Sequence, residues 1–135
     1  MITILRLTTG EDLIGEIEDD WTLEDEYCNL AHPMVIVSAR DETGGAMKLR
    51  DFFLLSDESL LSVPMEFILT RYEPTHTLQE YYKKASYYSR TFTKVMIDEQ
   101  IRYATQELDE MIAEESKEAT KLTDILMKAT GSRLQ

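Results

Sequence analysis

Cysteine occurs once in the 135 residues, at Cys28. A single thiol excludes an internal disulfide framework and suits a reducing cytoplasm. The two histidines, His32 and His76, lie far apart, and neither has a Cys or His at metal-ligand spacing. No metal or other cofactor is therefore expected. Long hydrophobic runs are missing too: nothing approaches the roughly 18 apolar residues that span a bilayer, and the opening MITILRLTTG carries no basic n-region. The expectation is a cytoplasmic protein without membrane contact. Serine and cysteine nucleophile motifs, GxGxxG and the P-loop pattern are all absent, which argues against an enzyme. Positive charge is scarce: 14 Lys and Arg stand against 26 Asp and Glu, a net −12. That balance rules out a broad electrostatic footprint on nucleic acid and leaves room only for a local basic site.

What is present is the composition of one folded domain, 43% hydrophobic and 30% charged. The charge is unevenly spread. Residues 1–75 hold five basic and sixteen acidic residues, a balance of −11, whereas residues 76–135 stand at −1.

The pattern divides the chain into a β domain, residues 1–75, and a helical extension, residues 76–135. Ile2 to Leu7 is a β-branched run ending at the turn Thr8-Thr9-Gly10-Glu11. Leu13, Gly15 and Ile17 alternate with Ile14 and Glu16 as in a second strand. Residues 18–26 are too acidic to pack and read as a loop or protruding hairpin. Asn29 to Arg40 is a third strand, residues 41–45 a glycine-bearing hairpin turn, Met47 to Leu55 a fourth strand and Leu60 to Tyr72 a fifth. Pro33 and Pro64 lack donors and belong at strand starts, bulges or free edges. The fold class is thus mainly β plus α: five antiparallel strands bent into a small barrel, followed by C-terminal helices. Strands three to five are apolar on both faces, so the helices or another subunit must cover one of them. Thr77-Leu78-Gln79-Glu80 has the capping-box pattern of a helix start, and the chain is expected to break or bend between Tyr87 and Thr93. A longer helix runs from about Lys94 to Ala129, with Gly131 as its stop. Its residues Ile97, Ile101, Ala104, Leu108 and Met111 form a coiled-coil-like seam.

The most informative stretch is Leu7-Thr8-Thr9-Gly10-Glu11-Asp12-Leu13-Ile14-Gly15-Glu16-Ile17. It has one glycine in a tight turn, a second within a strand, and apolar residues between them. This resembles the first signature of the Sm/LSm (Sm-like) family, L-x-x-G-x-x-h-x-G-x-h, including its bacterial RNA-chaperone branch. The family motif continues as D-x-[aromatic or His]-M-N, and Asp25-Glu26-Tyr27-Cys28-Asn29 stands in that place after a longer connection, with Cys28 for Met. Leu49-Arg50-Asp51 is the nearest match to the second signature, I-R-G, with Asp for Gly. The likeness covers about residues 2–72, as a phage-encoded or otherwise divergent member with its own helical extension would.

The resemblance implies a five-stranded, strongly bent barrel whose fourth strand pairs with a neighbour's fifth, closing a homo-oligomeric ring of about five to eight subunits. It also implies that RNA bases, often uridines, lie near the pore; single-stranded DNA is a further ligand to consider. Tyr27 would stack a base, Asn29 would read its edge, Asp25 would orient Asn29, and Arg50 would add charge. The plain alternatives are that Tyr27 and Asn29 merely begin a strand and that Arg50 pairs with a nearby acid.

A second feature is the aromatic and basic run Tyr81, Lys83, Lys84, Tyr88 and Arg90, within a segment, 76–94, of local charge +3. It suits a single-stranded nucleic acid, or docking on the acidic β domain. Two functions follow. One is a non-catalytic RNA-binding ring. The other is an assembly scaffold whose acidic barrel and C-terminal helix bind protein partners.

Overall fold

The structure is a computed structural model that describes residues 1–22, 24–41 and 44–131. Six strands come first: β1 (Ile2–Leu7), β2 (Asp12–Glu16), β3 (Tyr27–Asp41), β4 (Gly44–Asp51), β5 (Leu60–Pro64) and β6 (Ile68–Tyr72). Two helices follow, α1 (His76–Tyr88) and α2 (Lys94–Gly131), joined by a π-helical turn, Ser89–Thr93. The chain forms two compact units, Met1–Val95 and the stretch beginning at Met96.

All strand pairs are antiparallel, in the order β4-β3-β2-β1-β6, with β5 also on β3. The sheet is open. Strand β3 organises it, because its two halves have different partners. Tyr27 to Ala31 pair with β5, and Met34 to Asp41 with β4. Between the halves, His32 has φ +48°, a left-handed conformation that costs a non-glycine residue energy. Its N–H donates to Ser59 O at 2.6 Å, and the Pro33 carbonyl accepts from Phe52 N–H at 3.0 Å. Pro33 itself has no donor for a ladder, so β3 bends here. The β2–β3 register also shifts at this point, between Ile14 and Glu16. Gly15 lies in the crease: a Cβ there would meet Leu30 Cγ at 2.6 Å and Ala31 O at 2.9 Å. Gly10, at φ +91°, makes the turn between β1 and β2.

Strand alternation sends apolar residues to both faces. Leu5, Leu13, Ile17, Cys28, Leu30 and Val63 form the core on one side. Ile4, Ile14 and Met34 form the other, which α1 covers with Tyr82, flanked by Leu78 and Ala85. The Tyr82 hydroxyl donates to His32 O at 2.8 Å, so the covering helix is tied to the bend in β3. The face that needed covering is closed by the chain's own first helix.

Several expectations are corrected. Among the described residues there are six strands, not five: Leu60 to Tyr72 is interrupted by a 3-10 turn, Met65–Phe67, and its halves pair with different strands. Pro64, at φ −60°, ends β5 because it cannot donate onward. The strand expected to reach Leu55 stops at Asp51, whose carboxylate accepts the Phe53 N–H at 2.8 Å and turns the chain. The helix cap is Thr75, accepting from Leu78 N–H at 3.2 Å, rather than Thr77. Of the break or bend expected between Tyr87 and Thr93, there is no break: the chain passes through Ser89–Thr93 in one wider, π-helical turn. The acidic segment 18–26 is anchored by Trp21, which packs against the core and donates from Nε1 to Tyr27 O at 3.1 Å. In the expected hairpin turn at 41–45, Asp41 pairs with Gly44, and residues 42–43 lie outside the described residues.

Candidate nucleic-acid interface

Most of the residues singled out in the sequence line two clefts, and Lys83 and Arg90 lie in neither. The first, about 350 Å³, is lined by Glu18, Asp20, Trp21, Asp25, Tyr27 and Asn29. Tyr27 and Asn29 are successive outward residues at the start of β3, and Cys28 between them points into the core. Burial pushes the Cys28 thiol above its ordinary value, as befits a packing residue rather than a nucleophile. Asn29 Oδ1 accepts from Ser62 Oγ at 2.6 Å across the β3–β5 pair. Asp25 does not hold Asn29; its carboxylate accepts the Thr22 N–H at 2.9 Å and closes the loop on itself. Trp21 forms one wall, with the Arg71 guanidinium 5.5 Å from its ring centroid. The cleft therefore offers an exposed tyrosine face and a fixed amide, edged by three carboxylates.

Arg50 is not in this cleft. It stands opposite Val35 on β3, eight residues beyond Tyr27 and past the bend. It lines instead a second cleft of about 480 Å³ between β4 and α1, with Tyr81, Lys84 and Tyr88 around it. The sequence's two separate basic features thus meet at one place. Arg50 arrives there because β4 ends at Asp51 and the segment from Phe52 to Ser59 intervenes before β5, the strand that faces Tyr27. The other cations of the run turn elsewhere: Lys83 Nζ is 3.4 Å from Glu80, and Arg90 Nε donates to Ser86 O at 3.3 Å.

Asp51 also reaches the second cleft. Its Oδ2 accepts from the buried Ser89 hydroxyl at 3.1 Å and lies 3.6 Å from Lys94 Nζ. Sequence reasoning missed this trio, along with Ser62 and the role of Trp21. The one tryptophan amid acids was the only signal that could have flagged any of them.

Among the described residues no group of three or more His, Cys, Asp and Glu is arranged to hold a metal ion, and no helix is long and apolar enough to cross a membrane. The chain matches no protein-family model and no curated protein.

Proposed function

We propose that the chain is an Sm-like, non-catalytic protein that assembles as a homo-oligomeric ring and binds single-stranded RNA. The observation that carries this reading is the strand path. If β4 and β5 are the two halves of one interrupted strand, the order becomes fourth–third–second–first–fifth, with a short 3-10 turn bringing the last strand onto the first. Counted that way the sheet has the five antiparallel strands that the Sm-like resemblance implies, and Gly15 sits at its crease. Among the described residues no strand pairs with the outer edges of β5 and β6, which suits the fourth-to-fifth pairing of a ring, with Leu60 and Leu69 exposed beside them. On this reading Tyr27 stacks a base and Asn29 donates to its edge. The test is the solution mass, by size exclusion with light scattering, followed by oligo(U) titration. A closed ring of about five to eight subunits is expected, with affinity reduced in Tyr27→Ala/Asn29→Ala. A monomer would remove the ring and its pore.

A specific observation favours the alternative, a scaffold for protein partners. The carboxylates of Glu18, Asp20 and Asp25 edge the first cleft, and Ile101, Leu108 and Met111 of the α2 seam are each more than half exposed. The scaffold reading expects no oligo(U) binding even at low salt.

A further inference from the structure

We infer that the cleft between β4 and α1 is a second contact for single-stranded nucleic acid, where Tyr81 and Tyr88 stack bases while Arg50 and Lys84 hold phosphates. The choice of ligand rests on the RNA reading above. The site rests on its own geometry.

Tyr81, Lys84 and Tyr88 follow the i, i+3, i+7 spacing of one helix face, and all three are exposed. The two tyrosines are separated by about 10 Å along the axis, two helical turns, with Lys84 between them. Arg50 faces them from β4. Met34, Leu49 and Ala85 add an apolar lining beneath. The Tyr88 ring is braced by Phe92, their centroids 5.2 Å apart, so the wall continues past the helix end.

The acid in the cleft does not cancel these cations. Asp51 is engaged by Ser89 Oγ, Lys94 Nζ and the Phe53 N–H, which leaves Arg50 and Lys84 to meet an incoming anion. This is the reverse of the first cleft, where carboxylates edge the tyrosine. Alternating aromatic faces and cations fit a strand of alternating bases and phosphates, whatever its sequence.

The experiment is fluorescence anisotropy of the full chain with oligo(U) RNA and oligo(dT) DNA across a salt series. Arg50→Ala/Lys84→Ala is expected to weaken binding about tenfold or more. It should also flatten the log–log salt slope by about 1.4, the share of two phosphate contacts on a single strand. Tyr81→Ala/Tyr88→Ala should weaken binding at unchanged slope, and Tyr81→Phe/Tyr88→Phe should retain it, since a phenyl ring stacks as well. These side chains are exposed, so the variants should melt like the parent. If the parent binds and Arg50→Ala/Lys84→Ala does not alter affinity or slope, the cleft is overturned while the RNA reading stands. If the parent binds neither probe at about 50 mM salt, the RNA reading fails and the proposal with it. Equal loss on both probes supports recognition of base and phosphate alone; a larger loss on RNA supports an added 2′-hydroxyl contact.

Discussion

Gly15 and Cys28 show how individual residues hold the bent sheet together. At Gly15 an added methyl would run into Leu30 Cγ and the Ala31 carbonyl, and the carbonyl belongs to backbone that cannot step aside cheaply. Gly15→Ala is therefore expected to cost about 1–3 kcal/mol, the usual range for overpacking, read as a lower urea midpoint at unchanged slope. An unchanged midpoint would mean that β2 and β3 do not approach so closely. Cys28 and Tyr82 are both fully enclosed, and burial raises the pKa of each. Nearby Glu16 pushes Tyr82 further the same way. The folded protein thus keeps protons that the unfolded chain releases above the ordinary thiol value near 8.5 and the phenol value near 10. Stability from these groups is complete below those values and is lost as pH rises. Melting temperature should accordingly fall between pH 8 and pH 10.5, and Cys28→Ala should make the early part of that fall shallower. A flat profile in the parent would sink this account.

At the scale of elements, the join between helix and sheet depends on Asp51. It ends β4, caps the turn after it and receives Ser89 and Lys94 from the far side of α1. Asp51→Ala leaves the buried Ser89 hydroxyl without its acceptor and leaves Lys94 with the Ser56 carbonyl at 3.2 Å but no counter-charge. The expected cost is about 1–3 kcal/mol in a thermal melt, and Asp51→Asn, which keeps an acceptor, should cost less. Equal loss in the two variants would show that charge, not hydrogen bonding, matters here. The same residue shows what local sequence conveys. Strand β1, the Gly10 turn and the long helix were legible because each depends on neighbours within a few residues. Tyr27 and Asn29 could be placed side by side for the same reason. The division of Leu60 to Tyr72 between two partners was not legible, since Pro64 could equally have marked an edge within one strand. That Arg50 lines a cleft with Tyr81, Lys84 and Tyr88 was not legible, because it depends on how α1 lies against β4, a contact between residues far apart in the chain. The capping-box pattern pointed to Thr77, but Thr75 has the non-helical backbone (φ −59°, ψ 158°) and accepts the Leu78 N–H, so the helix starts two residues earlier.

For the whole molecule, the decisive quantity is the net charge of −12. Subunits so charged repel one another at distances beyond contact, and salt screens that repulsion, with a Debye length of about 8 Å at physiological strength. Pairing of strand edges is short-ranged and loses little from added salt. Assembly should therefore strengthen as salt is raised. Binding of RNA at a small basic cleft depends on releasing counterions from the strand, and it must weaken over the same range. The two proposed activities consequently carry opposite salt dependences, a separation that a basic RNA-binding protein would not display so plainly. Between about 50 and 500 mM salt, sedimentation should show the oligomer persisting to lower protein concentration while anisotropy shows oligo(U) leaving. If assembly instead dissolves as salt rises, the subunits are held by charge pairs and the edge-pairing account of the ring fails. If RNA binding persists undiminished, the contacts are not to phosphate, and Arg50 and Lys84 are not its anchors.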